Sequence, residues 1–153
     1  MKKVVLSLVL FASVIAVSAQ PRAIGGRFTY GLEASYQHGF GERNMLQADL
    51  GLTGLGHGLQ LTGIYNWVFP ISSWQHEGSW NWYVGPGAGL GLGFGSYFYL
   101  GLAGMIGIEY NFKFPLQLSL DFRPVIGLGF SSSDMLFHGG WYNGPALGIR
   151  YKF

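Results

Sequence analysis

The residues of this chain best equipped for chemistry are its few carboxylates and guanidinium groups, and their spacing says what they can do. Arg27, Glu33, Asp49, Glu109, Asp121, Arg123 and Arg150 all sit in segments where apolar residues take every second position, and all seven take the other positions. A repeat of two puts alternate side chains on the same face of a strand. Opposite charges enclosed together either neutralise one another through ion pairs or line a path for protons and ions. The paired arrangement is expected, because an unpaired buried charge costs on the order of several kcal/mol.

Nucleophilic chemistry needs a base beside a hydroxyl or thiol. His57 and His138, with Ser131, Ser132 and Ser133, are the candidates, but no His-x-Ser pair is present and Gly139-Gly140 follows His138. These residues read as polar loop positions, and no catalytic residue is assigned. No two histidines lie close in sequence and there is no cysteine, so neither a metal site nor a disulfide is expected, and no cofactor is implied.

A third motif resembles a phosphate loop at first sight. The stretch GPGAGLGLGFG, Gly85–Gly95, has glycine at every second position. A dinucleotide fingerprint needs the spacing G-x-G-x-x-G before a helix, which no window here supplies. Strict alternation makes the stretch a strand with one bare face. Its other face carries Pro86, Ala88, Leu90, Leu92 and Phe94. The bare face must leave room for bulky neighbours such as Tyr97, Tyr99 and Arg123, or for a small ligand.

The elements that would position these groups follow from composition. Lys2 and Lys3 precede an apolar run from Val4 to Val17, then Val17-Ser18-Ala19, which is the anatomy of a secretory signal peptide over residues 1–19. Two of the nine basic residues lie in this leader, so residues 20–153 hold seven bases against seven acids. That balance argues against a nucleic-acid partner. Charged residues are only 10% of the chain and aromatics 17%, too little charge to cover a water-exposed surface. After the leader no apolar stretch is long enough for a membrane helix. A membrane-like composition without such helices points to a closed β-barrel, the other structure that satisfies every backbone group within a bilayer.

The alternation predicts strands from Arg22 to Arg27, after a turn at Phe28–Gly31 to His38, then from Met45 to Leu52, Leu59 to Phe69, Trp80 to Gly93, Tyr97 to Phe112 and Leu116 to Ile126, and a last one ending at Phe153. Phe40–Asn44 and Lys113–Pro115 read as turns, Pro70–Ser79 as a longer connection, and Gly129–Gly140 as a loop. The expected fold is therefore all-β: a transmembrane, antiparallel, up-and-down barrel of eight strands over residues 20–153. Charges inside and apolar residues outside is the arrangement a bilayer demands, since Arg or Lys facing lipid at mid-bilayer costs about 2–4 kcal/mol. Aromatics cluster toward both ends of the strands, as interfacial girdles require. Pro86, Pro124 and Pro145 fall inside predicted strands, where each removes a ladder donor. Pro124 and Pro145 lie in adjacent last strands and suggest either a bulge that ends regular pairing near the rim or a lateral seam that could admit a lipid chain.

The stretches AIGGRF, YGLEASYQHGF, NWYVGPGAGLG, IGIEYNFKFPLQLSLDFRP and the closing ALGIRYKF resemble the small porin-like outer-membrane β-barrels of Gram-negative bacteria, of the type of the outer membrane protein A transmembrane domain. The resemblance covers residues 20–153. It implies that Ile149, Tyr151 and Phe153 form the C-terminal signal read by the barrel assembly machinery. It also implies a monomer held in outer-membrane lipid after export through the periplasm. The function expected is a structural or binding role in the cell envelope with a largely side-chain-plugged lumen. The alternatives are an outer-leaflet lipid-modifying enzyme, such as a lipid A acyl hydrolase or transferase, and a narrow pore.

Overall fold

Period-two alternation, interrupted by glycine and proline turns, produces ten strands. They are β1 (Arg22–Phe28), β2 (Leu32–Phe40), β3 (Asn44–Thr53), β4 (Gly58–Pro70), β5 (Gly78–Gly93), β6 (Tyr97–Phe112), β7 (Leu116–Phe122), β8 (Val125–Phe130), β9 (Met135–Gly140) and β10 (Pro145–Lys152). The structure is a computed structural model that describes residues 22–29, 31–53, 58–74, 77–95, 97–130, 135–140 and 144–153. The leader expected over residues 1–19 lies outside them.

Every pairing is antiparallel, and the ring β1-β2-β3-β4-β5-β6-β7-β10 closes through β1–β10 and β5–β6. Successive strands β7 and β8 share the long strand β6 as partner, so they are two halves of a seventh stave; β9 and β10 are likewise the eighth. The fold is a closed eight-stranded barrel. Closure removes the unpaired edges that an open sheet would expose.

The start of β1 and the C-terminal Phe153 meet at one rim, the terminal end, where the Phe153 amide donates to the Arg22 carbonyl at 2.9 Å. The turn between β2 and β3 is at the same end, and Gly41 there takes a φ of 71°, a left-handed conformation that suits glycine. A short 3₁₀ turn, Ser72–Trp74, joins β4 to β5. The opposite rim, the distal end, carries the connections after β1, β3, β5 and β8.

One sequence expectation is corrected. Gly129–Gly140 is not a loop: Gly129 and Phe130 close β8, and Met135–Gly140 forms β9, paired from Phe130↔Met135 to Val125↔Gly140. The serines and paired glycines signal a turn locally, but the apolar strand beside them supplies a pairing partner that outweighs weak intrinsic propensity.

The barrel is inside out relative to a water-soluble one. Leu102 is 74% exposed, and Leu32, Leu120, Ile126, Ile106 and Leu100 are all more than half exposed, whereas Arg27, Arg123 and Arg150 are fully buried. Near the terminal end aromatic side chains form a continuous outer band. Phe69 stacks on Trp82 at 4.5 Å, and Trp80, Tyr110, Phe112 and Phe114 follow one another at 4.6 to 4.8 Å.

Candidate functional site in the barrel lumen

The lumen narrows on a layer of charge at mid-barrel. Arg27 reaches inward from β1; its Nε donates to Asp121 Oδ1 at 2.8 Å and its Nη1 to Glu33 Oε2 at 2.7 Å. Arg123 reaches in from the segment after β7, two staves round the ring from β1, donating through Nη1 to Asp49 Oδ2 and through Nη2 to Glu33 Oε1, both at 2.7 Å. Glu33 is thus held between two guanidinium groups. Asp49 also accepts from the Ser35 hydroxyl at 2.5 Å and from Gln47 Nε2 at 2.8 Å. Asp121 accepts from the Tyr83 hydroxyl at 3.2 Å.

Arg150 is the third guanidinium of the layer. Its Nε donates to Ser35 Oγ at 2.9 Å and its Nη1 to Ser119 Oγ at 2.7 Å, so it meets Asp49 only through Ser35. Three cations and the three anions Glu33, Asp49 and Asp121 form one neutral, hydrogen-bonded unit. Glu109 sits apart, nearer the terminal end. Asn81 and Asn111 donate to its Oε1 at 2.9 and 3.0 Å, and Gln117 to its Oε2 at 2.9 Å. The four ion pairs among the described residues therefore join five of the seven candidate charges, Arg27, Arg123, Glu33, Asp49 and Asp121.

The delivery of Arg123 explains the strand break. Arg123 and Pro124 lie between β7 and β8 and belong to neither. The Gly104 amide still donates to the Pro124 carbonyl at 3.0 Å, so contact with β6 continues through the break. Among the described residues, pairing with the eighth stave runs up to Phe122↔Pro145 on one side of the break and starts at Val125↔Gly140 on the other. Pro86, by contrast, stays within β5 and pairs with Gly104.

The glycines from Gly85 to Gly93 face the lumen, with Pro86, Ala88, Leu90 and Leu92 outward, and Gly95 lies in the turn beyond β5. At Gly85 and Gly87 the carbonyls of Tyr65 and Gly63 on β4 occupy the space a side chain would need. At Gly91 the nearest atoms lie 3.6 Å from that space, and Tyr99 is next to it. Tyr97 and Tyr99 lie over Gly129 and Gly101. In the distal lumen, then, aromatic side chains cover bare backbone.

Ile149, Tyr151 and Phe153 point outward, 40%, 57% and 58% exposed, on the last strand and at its end. His57, Ser131, Ser132 and Ser133 lie outside the described residues, and His138 is placed in β9. Among the described residues no group of three or more His, Cys, Asp or Glu side chains is arranged to hold a metal ion.

Sequence reasoning focused on ionised groups and passed over the neutral partners Ser35, Gln37, Gln47, Tyr83, Asn111, Gln117 and Ser119. Their signal was available for all but Tyr83, because each of the others lies an even number of residues from a charged neighbour on its strand; β5 holds no charged residue, and Tyr83 pairs with Val68 and Gly107. No family model, curated protein or solved structure matches the chain.

Proposed function

We propose that this chain is an integral protein of the bacterial outer membrane, exported through the periplasm, whose lumen is closed by paired charges and whose role is structural or binding. The observation that carries this is the inversion of the barrel: fully buried arginines inside and exposed leucines, isoleucines and aromatics outside. In water such a surface invites aggregation, and in a bilayer it is solvated. The terminal end faces the periplasm, the outward aromatic band lies at one membrane interface, and Ile149, Tyr151 and Phe153 present the assembly machinery with an exposed terminal strand. The barrel closes on its own strands, which favours a monomer in outer-membrane lipid. The pairing break at Pro124 and Pro145 would be the lateral seam through which a lipid chain reaches the wall.

A charge-balanced layer with each carboxylate held by two or more donors favours a closed lumen over a pore. The test is to insert the protein into planar bilayers and into vesicles containing brominated lipid. Outward Trp67 and Trp82 should be quenched strongly, with no unitary conductance. Absence of quenching would remove the membrane assignment, and steady ion conductance would remove the closed lumen.

A further inference from the structure

Below the charge layer the lumen opens at the terminal end into a cavity of about 280 Å³. That is just under the size of sites that take drug-like molecules, so an occupant would be small. The ceiling includes Gln37, whose Nε2 donates to Gln47 Oε1 at 2.9 Å, and Gln47 in turn donates to Asp49. The cavity is therefore a blind pocket rather than the mouth of a channel.

Its wall is chemically divided. On β6 and β7, Glu109 and Gln117 line it, each about 95% buried. The orientation of Gln117 follows from its neighbours: its Nε2 donates to Glu109 Oε2 at 2.9 Å, and the reverse orientation would set a carbonyl oxygen against a carboxylate. Gln117 Oε1 is left buried with no hydrogen-bond partner. Buried acceptors are rarely left so, since each forfeits its hydration. On β1 and β10, the next strands around the ring, Arg22 and Lys152 contribute two cations to the same cavity. Met45 and Val68 add an apolar patch.

We propose that this pocket binds a free α-amino acid with a small apolar side chain. Glu109 receives the ammonium group, Arg22 and Lys152 the carboxylate, and Met45 and Val68 the side chain. Glu109 fits this role because its three amide partners hydrogen-bond its charge without neutralising it. The site goes beyond the closed-lumen reading, and conductance and ligand binding can fail independently.

The experiment uses the mature chain folded in detergent micelles, with ¹⁵N-labelled side-chain amides read by NMR during titration. L-Valine is the probe, with isobutylamine and isovalerate as its two matched halves. Valine should shift the Gln117 and Asn111 amide signals saturably, and each half should bind at least about tenfold more weakly. Glu109→Gln should weaken valine about tenfold or more. If that variant does not fold, Lys152→Met should weaken valine while leaving isobutylamine unchanged. No saturable shift with valine, or isobutylamine binding as tightly as valine, overturns the proposal.

Discussion

The two halves of the lumen are filled by different means. At mid-barrel, above the terminal cavity, guanidinium, carboxylate, hydroxyl and amide groups interlock, and Arg27, Asn66, Gln47, Tyr83, Arg123 and Arg150 have no exposed surface. In the distal half the inward positions are largely glycine, and Tyr97 and Tyr99 are only partly buried as they cover Gly129 and Gly101. Packing at mid-barrel depends on directional, mutually dependent contacts. Distal filling depends on a few rings packed over backbone, each of which can be lost alone.

The largest effect should come from testing that contrast directly. Arg123→Ala strips Asp49 of its cation and Glu33 of one of two, and should destabilise the barrel by about 3–5 kcal/mol, as breaking buried pairs does. Tyr99→Ala, which removes a partly exposed ring in the distal half, should cost only about 1 kcal/mol. Urea unfolding in lipid vesicles gives both values. Equal costs would erase the distinction between the halves.

The glycine stretch sharpens the comparison within a single strand. Gly85→Ala drives a methyl group into the Tyr65 carbonyl on β4, and the neighbour that must move is backbone. A cost of about 1–3 kcal/mol is expected, in the range of overpacked cores. Six residues on, Gly91→Ala meets only ordinary contacts, the nearest at 3.6 Å, and stability should stay within about 0.5 kcal/mol of the parent. The same unfolding assay ranks the pair, and a destabilising Gly91→Ala would show that the distal half is packed as tightly as the middle.

Much of this was legible in the sequence because a barrel has one strong signal, the period of two. The segregation of Glu33, Asp49, Asp121 and Arg123 from Leu32, Leu50, Leu120 and Phe122 gives both the strands and the inward face. What period cannot convey is which inward residues meet across the lumen. Arg123 lies next to Asp121 on one wall yet pairs with Glu33 and Asp49 on another, and that depends on ring closure and register. Glu109 has the same parity as the others, but its position along β6 places it with Asn81, Asn111 and Gln117. Strand β9 was illegible for another reason, since its glycines signal a turn until β8 is set beside it.

The smallest effect concerns the join between the halves. Arg123 and Pro124 separate β7 from β8, between the pairs Phe122↔Pro145 and Val125↔Gly140, while the Gly104 amide keeps the Pro124 carbonyl on β6. If this strand break is a seam, amides flanking it, at Val125, Ile126 and Ala146, should exchange with solvent deuterons sooner than those of Leu118, Ser119 and Ile149 deeper in the same staves. Local opening of this kind leaves global stability unchanged, so exchange measured in lipid is the suitable reading. Uniform protection along both staves would mean that the break serves only to aim Arg123 into the charge layer. A contrast confined to the flanking amides would make it the place where the rigid middle gives way to the loosely filled distal half.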